Sequence, residues 1–212
     1  LVQRCRDPFG GGEGGFYLAI LWASFLSWIL KMIAHVGQQK LFGEQLGTYV
    51  SIRAKCQINS NAMKAVKYLV SRPGLSVAKV CILCGGPDWP TSVVCGILRK
   101  ADPPSINTAQ LVVGLTPMVL LIVPTCLAAA FQLRITNGAD DGSGGPWDAL
   151  ASVALITCAA IQLGAGMAAV HYISEVLTTH TAELDAYKVD EEVEAYEAAQ
   201  EKKRRATLEA TR

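Results

Sequence analysis

The sequence predicts an all-α protein: a polytopic helical membrane protein with about three spans, one re-entrant helical hairpin and a polar C-terminal helix. Three observations lead there. Only 17% of the 212 residues are charged, 51% are apolar and mean hydropathy is +0.30, whereas a soluble domain carries about a quarter charged residues. The uncharged residues are concentrated in three runs of about 20 residues, the length a helix needs to cross roughly 30 Å of hydrocarbon. A fourth apolar stretch is broken at its centre by glycines and prolines.

Residues 1–15 read as a flexible, Gly-rich lead-in to a membrane domain spanning 16–178. Gly10-Gly11-Gly12-Glu13-Gly14-Gly15 formally fits G-x-G-x-x-G, but a dinucleotide fingerprint follows a strand and opens a helix packed on a sheet. Here it opens an apolar run, so a linker is preferred. The lead-in carries Arg4, Arg6, Asp7 and Glu13, and no cleavage-like site follows the first apolar run, so it is not read as a signal peptide. With no initiator Met, the chain is expected to be a fragment or processed product, and its crossings a minimum.

Residues 16–36 form the first expected span. Lys31 lies near one end, where its stem can snorkel, and Trp28 is placed to join an aromatic belt. From Gly37 to Arg72 the chain is basic, with Lys40, Arg53, Lys55, Lys64, Lys67 and Arg72 against Glu44. Within it, Asn61–Arg72 reads as an amphipathic helix with Met63, Val66, Leu69 and Val70 on one face and Lys64 and Lys67 off it. Such a helix is expected in the headgroup plane, ending at Arg72-Pro73-Gly74.

Residues 75–98 are the unusual stretch. Each apolar arm has about ten residues or fewer, too short to cross. Between them, Gly85-Gly86-Pro87-Asp88-Trp89-Pro90 cannot continue a helix. Two short arms around a breaker predict a hairpin that enters and leaves on one side, a break tolerated only where protein or a water-filled cavity satisfies the freed backbone. Asp88 has two readings. In a deep hairpin it is an intramembrane carboxylate, costing about 2.5–3.5 kcal/mol unless hydrated or paired; in a shallow one it caps the helix starting near Pro90.

After the polar turn Arg99–Pro104, residues 111–131 form a second span of 21 uncharged residues. Pro117 and Pro124 kink it, and Thr116 and Thr125 can re-satisfy backbone groups. An acidic loop, 136–146, leads to the third span, 147–173. There Ala160, Gly164 and Ala168 form a small-xxx-small row suited to close helix packing. Residues 179–212 read as a soluble helix, acidic first and ending with Lys202-Lys203-Arg204-Arg205. Lysines and arginines are dense in 37–108 and 179–212 and absent from 136–147, which predicts a cytoplasmic C-terminus. That sidedness is self-consistent only if the hairpin returns to its own side.

Other constellations take bland readings. Seven scattered cysteines argue against a disulfide framework, and Cys81-x-x-Cys84 has no second pair or nearby His to complete a zinc site. His35, His171 and His180 are read as interface residues. No catalytic grouping or metal site emerges, so no enzyme and no cofactor is expected. A net charge of +1 gives no reason to expect nucleic acid.

Pro87-Asp88-Trp89, Ile97-Leu98, Gln110 and Gly114-Leu115-Thr116-Pro117, with Gly43-Glu44, Gly47 and Arg72-Pro73-Gly74, resemble the second half of the VTT-domain proteins, the SNARE-associated Golgi proteins and their bacterial DedA relatives. The likeness covers roughly residues 40–135. It departs at Cys81, where the family usually carries an arginine of its presumed transport site. The resemblance implies lipid scrambling or lipid transport, with Pro87, Asp88, Trp89, Pro90 and Pro117 as the substrate-binding or transport residues. The alternative is a non-catalytic scaffold or subunit of a larger membrane complex. The expected partners are membrane lipids and a homo- or hetero-oligomer built through Ala160, Gly164 and Ala168.

Overall fold

The computed structural model describes residues 13–86, 88–101, 106–136 and 145–210, without the side chains of Glu13, Asp88, Trp89 and Ala210. Most of the Gly-rich lead-in, Cys5, Pro87, the Asp102-Pro103-Pro104 turn and most of the acidic loop lie outside the described residues. The protein is all-α. Among the described residues, three helices are long and apolar enough to cross a membrane: Gly14–Leu46, Thr108–Arg134 and Pro146–Thr179.

The first span begins as α1, Glu13–Gly37. It continues as a π-helical segment, Gln38–Gly43, and a last turn, Glu44–Leu46, ten residues past the expected end at Val36. Polar residues there are accommodated: Glu44 pairs with Lys40 one turn back and with Arg99, both at 3.1 Å. Next come α2 (Val50–Lys55) and α3 (Asn61–Ser71), whose first turn is capped by the Ser60 hydroxyl accepting from Met63 N–H. Pro73 cannot continue α3, and Gly74 turns the chain at φ +78°, a conformation that disfavours any side chain.

The hairpin forms as two helices, α4 (Val77–Cys84) and α5 (Asp88–Ala101). Ser76 caps α4, its hydroxyl accepting from Lys79 N–H. The second span is α6 (Thr108–Leu115), a 3-10 turn at Thr116–Met118 and α7 (Val119–Arg134). It opens with a capping box in which Asn107 and Gln110 satisfy each other's backbone amides. The third span, α8 (Pro146–Thr179), has 34 residues, or about 51 Å at ~1.5 Å per residue. That exceeds the roughly 30 Å of a hydrocarbon core. Short α9 (Thr181–Asp185) and α10 (Glu191–Ala210) follow.

The hairpin packs by backbone approach. On one side α5 crosses the π-helical segment. A Cβ on Gly96 would sit 2.4 Å from the Gln39 carbonyl oxygen and 2.6 Å from Gly43 Cα, and one on Gly47 would sit 2.8 Å from Lys100 Cβ. On the other side, a Cβ on Gly85 would lie 2.6 Å from the Gly166 nitrogen of α8, and one on Gly114 would lie 2.4 Å from Leu83 Cδ1. Close crossings of this kind need small residues, as small-xxx-small packing does. Gly166 lies nine residues before Glu175 and eighteen after Asp148, roughly 14 Å and 27 Å along the helix. The tip therefore reaches about a third of the way in from the C-terminal end of the span. Both arms end on that same side: Ser76 beside the α3 turn, and Lys100 against Gly47.

Lys79 shows how a lysine survives in an apolar arm. It is fully buried, and its ammonium donates to the carbonyls of Arg72 and Gly74, the latter at 2.9 Å. These are carbonyls at the end of α3, where a cation also meets the negative end of the helix dipole. The apolar face of α3 is turned into the protein. Ala65, Leu69 and Val70 are buried in the main core with Ile82, Leu83, Ile106 and Val176. Lys67, expected outside, is 6% exposed and lies 4.7 Å over the Tyr187 ring. Burying the cationic face became possible because a distant aromatic covers it.

At the opposite end of the bundle, Phe16, Phe131 and Ala151 form a second, smaller cluster. The Arg134 guanidinium is stacked there, 3.8 Å from the Phe16 ring and 4.4 Å from that of Trp147. The three spans thus run up, down and up between two polar ends.

Candidate functional site

Helical spacing brings four polar side chains of the three candidate spans, Ser27, Lys31, Thr125 and Gln162, to one cavity. Ser27 and Lys31 lie four apart on α1, and Cys158 and Gln162 four apart on α8, so each pair shares a face. With Leu121, Ile122, Thr125 and Cys126 of α7 they line a space of about 490 Å³. The walls are mainly apolar, and the lysine, amide and hydroxyls supply directional contacts. A second depression of about 570 Å³ is bordered by Gly85 and Gly86 at the hairpin break and by Leu163, Gly166, Met167 and Val170 on α8. Gln162 lines both spaces, and the second opens on the outer face of α8, where Leu163, Met167 and Val170 are exposed. The break in the hairpin and the cavity between the spans are therefore neighbours.

The kinked second span supplies the opposite wall. Pro117 lacks an N–H for the Val113 carbonyl, which takes that of Thr116 instead. Thr116 and Thr125 donate their hydroxyls to backbone as expected, to the Val112 and Leu121 carbonyls at 3.0 and 2.7 Å. The Cys158 thiol lies 3.7 Å from the Leu121 carbonyl and 3.5 Å from the Thr125 hydroxyl, joining α8 to this wall. Trp28 donates its indole N–H to the Thr116 carbonyl at 3.1 Å, tying the first span to the second rather than serving only as a belt residue.

A buried polar pair joins α5 to α1. His35 and Ser92 are 2% and 1% exposed, with His35 Nδ1 2.7 Å from Ser92 Oγ. One turn further along, Gln39 is fully buried and both its amide atoms lack a hydrogen-bond partner. His35 is thus not an interface residue. It faces the hairpin because α5 packs against this stretch of α1, bringing Ser92 to the ring.

The expected transport residues are only partly brought together. Pro87 and the side chains of Asp88 and Trp89 lie outside the described residues. The α5 helix starts at Asp88, so Asp88 occupies its first position, and Pro90 falls in the first turn, where a missing N–H costs no hydrogen bond. Pro117 is half-buried beside Met118 and does not line the cavity. Ala160 and Gly164 face away from the chain, a Cβ on Gly164 meeting nothing within 4 Å. Internal contact with the hairpin instead uses Ala165 and Gly166, one and two positions on. Cys81 and Cys84 are buried among apolar side chains, with the Cys84 thiol 3.9 Å from the Gly114 carbonyl.

Sequence reasoning passed over Ser27, Gln162 and the cavity role of Lys31. A lone amide inside a long apolar run was the available signal, since polar residues at membrane depth mark pathways. In comparisons with protein-family models, curated proteins and solved structures, nothing matches this chain.

Proposed function

We propose that this protein moves or scrambles phospholipids between leaflets, using the cavity between its spans as the polar step for the headgroup. One observation carries the reading: a lysine, an amide and two hydroxyls line an intramembrane cavity next to a broken re-entrant hairpin. A headgroup crossing hydrocarbon loses its hydrogen bonds to water. Lys31 offers a charge for its phosphate, and Gln162, Ser27 and Thr125 offer hydrogen bonds. Broken helices at membrane depth are where many transporters bind substrate. The VTT-like residues support the same reading in a structural role: Gly43, Gly47 and Gly114 permit the crossings that hold the hairpin, and Gln110 donates to the Ser71 carbonyl. On this reading the C-terminus is cytoplasmic, as the lysine and arginine distribution predicts.

The test is leaflet exchange of a fluorescent phospholipid in liposomes containing the purified protein. Lys31→Met and Gln162→Leu should each slow exchange about tenfold or more, since a charged hydrogen bond contributes roughly 1.5–3 kcal/mol. Exchange no faster than in empty vesicles refutes the proposal.

A second reading, a non-catalytic subunit, is favoured by the third span: its most apolar stretch has no residue buried within the chain, and Gly164 faces open space. It requires a stable complex in mild detergent that Gly164→Leu dissociates.

A further inference from the structure

A different cavity, of about 280 Å³, lies at the root of the C-terminal helix, on the side where both hairpin arms end. Its roof includes Leu98 and Ala101 of α5, and four cations border it: Arg53, Lys64, Lys67 and Lys188. Arg53 and Lys67 are 9% and 6% exposed, so two of the four are built into the fold. Arg53 donates to Asp190 Oδ2 at 2.5 Å and to the Glu192 carboxylate, while its Nε is buried without a hydrogen bond.

The two acids on Arg53 are not equivalent. The Asp190 side chain is 11% exposed. Asp190 caps α10 by accepting from Val193 N–H at 3.2 Å, and its backbone is bracketed by Asn59 at 2.9 and 3.1 Å. It is structural. The Glu192 side chain is 71% exposed, with its carboxylate on Arg53. Lys64 and Lys188 have no carboxylate within ion-pair distance among the described residues, and Glu191 is the remaining acid on the rim.

We propose that this cavity binds a phosphate monoester, and that Glu192 holds the anion's place on Arg53 until one arrives. A phosphate dianion offers three oxygens to a guanidinium fork and several ammonium groups, a stronger match than one carboxylate. It would also sit at the start of a 20-residue helix, where the dipole favours negative charge. Displacing Glu192 leaves Asp190 in place, so α10 stays docked. Soluble phosphate monoesters and the headgroup of an acidic lipid share this chemistry. The site is separate from the intramembrane cavity and stands independently of the transport reading.

The test uses the full chain in neutral detergent, titrated calorimetrically with glycerol 3-phosphate in one arm and dioctanoyl phosphatidic acid in the other. The two probes carry the same headgroup with and without acyl chains. Saturable binding is expected, weakened at least tenfold by Lys64→Gln/Lys188→Gln and tightened severalfold by Glu192→Gln. Glu194→Gln, the same charge change outside the cavity, leaves it unaltered. Equal affinity in both arms supports the site with a soluble ligand; binding of the acylated probe alone supports it with a lipid ligand. Binding of neither probe, or binding indifferent to the double lysine variant at an unchanged unfolding midpoint, overturns the proposal. So does a Glu192→Gln variant that binds no tighter than Glu194→Gln.

Discussion

Replacing Gly96 by alanine tests whether the hairpin is held by backbone contact with the first span. The added Cβ would lie 2.4 Å from the Gln39 oxygen, 2.6 Å from Gly43 Cα and 2.8 Å from the Gly43 carbonyl carbon. All three are backbone atoms, so no side chain can swing aside, and the helices must part by about 1 Å to reach ordinary contact distances of roughly 3.5 Å. Overpacking costs about 1–3 kcal/mol. Alanine's better helix propensity returns up to ~1 kcal/mol. With rigid neighbours the upper half of the range applies, leaving a net loss of roughly 1–2 kcal/mol. For a chain of this size each kcal/mol moves the unfolding midpoint by about 2–4 °C, so the expected drop is roughly 2–8 °C. Gly164→Ala is the matched control. It gains the same propensity and meets nothing within 4 Å, so its midpoint should stay level or rise. Both are read by tryptophan emission during heating in one detergent. A Gly96→Ala midpoint equal to that of Gly164→Ala refutes the close crossing.

The hairpin tip should behave likewise: Gly85→Ala destabilises by about 1–3 kcal/mol against backbone atoms of α8, whereas Gly86→Ala meets only Thr91 Oγ1 at 3.4 Å and is tolerated, as thermal melts will show. Arg53→Met leaves the Asp190 carboxylate buried without its partner; removing one member of a buried pair costs up to about 3–5 kcal/mol, so limited proteolysis should release α10 at least tenfold faster. At the junction of α8 and α9, His180 Nδ1 lies 3.0 Å from Glu183 and 3.3 Å from the Tyr68 hydroxyl. Hydrogen bonds from His180 and then Tyr68 hold the Glu183 carboxyl below its ordinary value. A depressed carboxyl stabilises above its unfolded value, near ~4.3, and that contribution is lost as pH falls through the folded value. Amide exchange in residues 180–186 should therefore accelerate on acidification below about pH 4, and Glu183→Gln should remove that acid limb. Burial, then the Glu183 bond, raises the Tyr68 hydroxyl. Its contribution is present below its unfolded value of ~10 and fades as pH rises above it.

The spans and the hairpin were legible because hydropathy, length and the Gly-Pro break are local properties. What escaped depends on partners far along the chain. Gln38, Gln39 and Lys40 suggest a span ending at Val36, yet the helix continues to Leu46 because Arg99 and Gly96 receive that segment. Lys67 reads as a solvent-facing residue until Tyr187, more than a hundred positions away, is placed over it. Small residues at four-residue spacing occur both in Gly43/Gly47 and in Ala160/Gly164/Ala168. Spacing cannot say that the first pair meets α5 and that Gly164 meets nothing. The candidate cavity was hidden for the same reason. Lys31 near a span end has a sufficient local explanation, and its convergence with Gln162 is purely tertiary.

The central claim is that the stretch between the first and second spans enters and leaves the membrane on one side. Single cysteines at Ser76, Lys100, Thr136 and Thr207 in a cysteine-free chain, labelled with a membrane-impermeant maleimide in oriented sealed vesicles, test it directly. Positions 76, 100 and 207 should label from one side and position 136 from the other. Labelling of 76 and 100 from opposite sides contradicts the re-entrant hairpin and the site built around it.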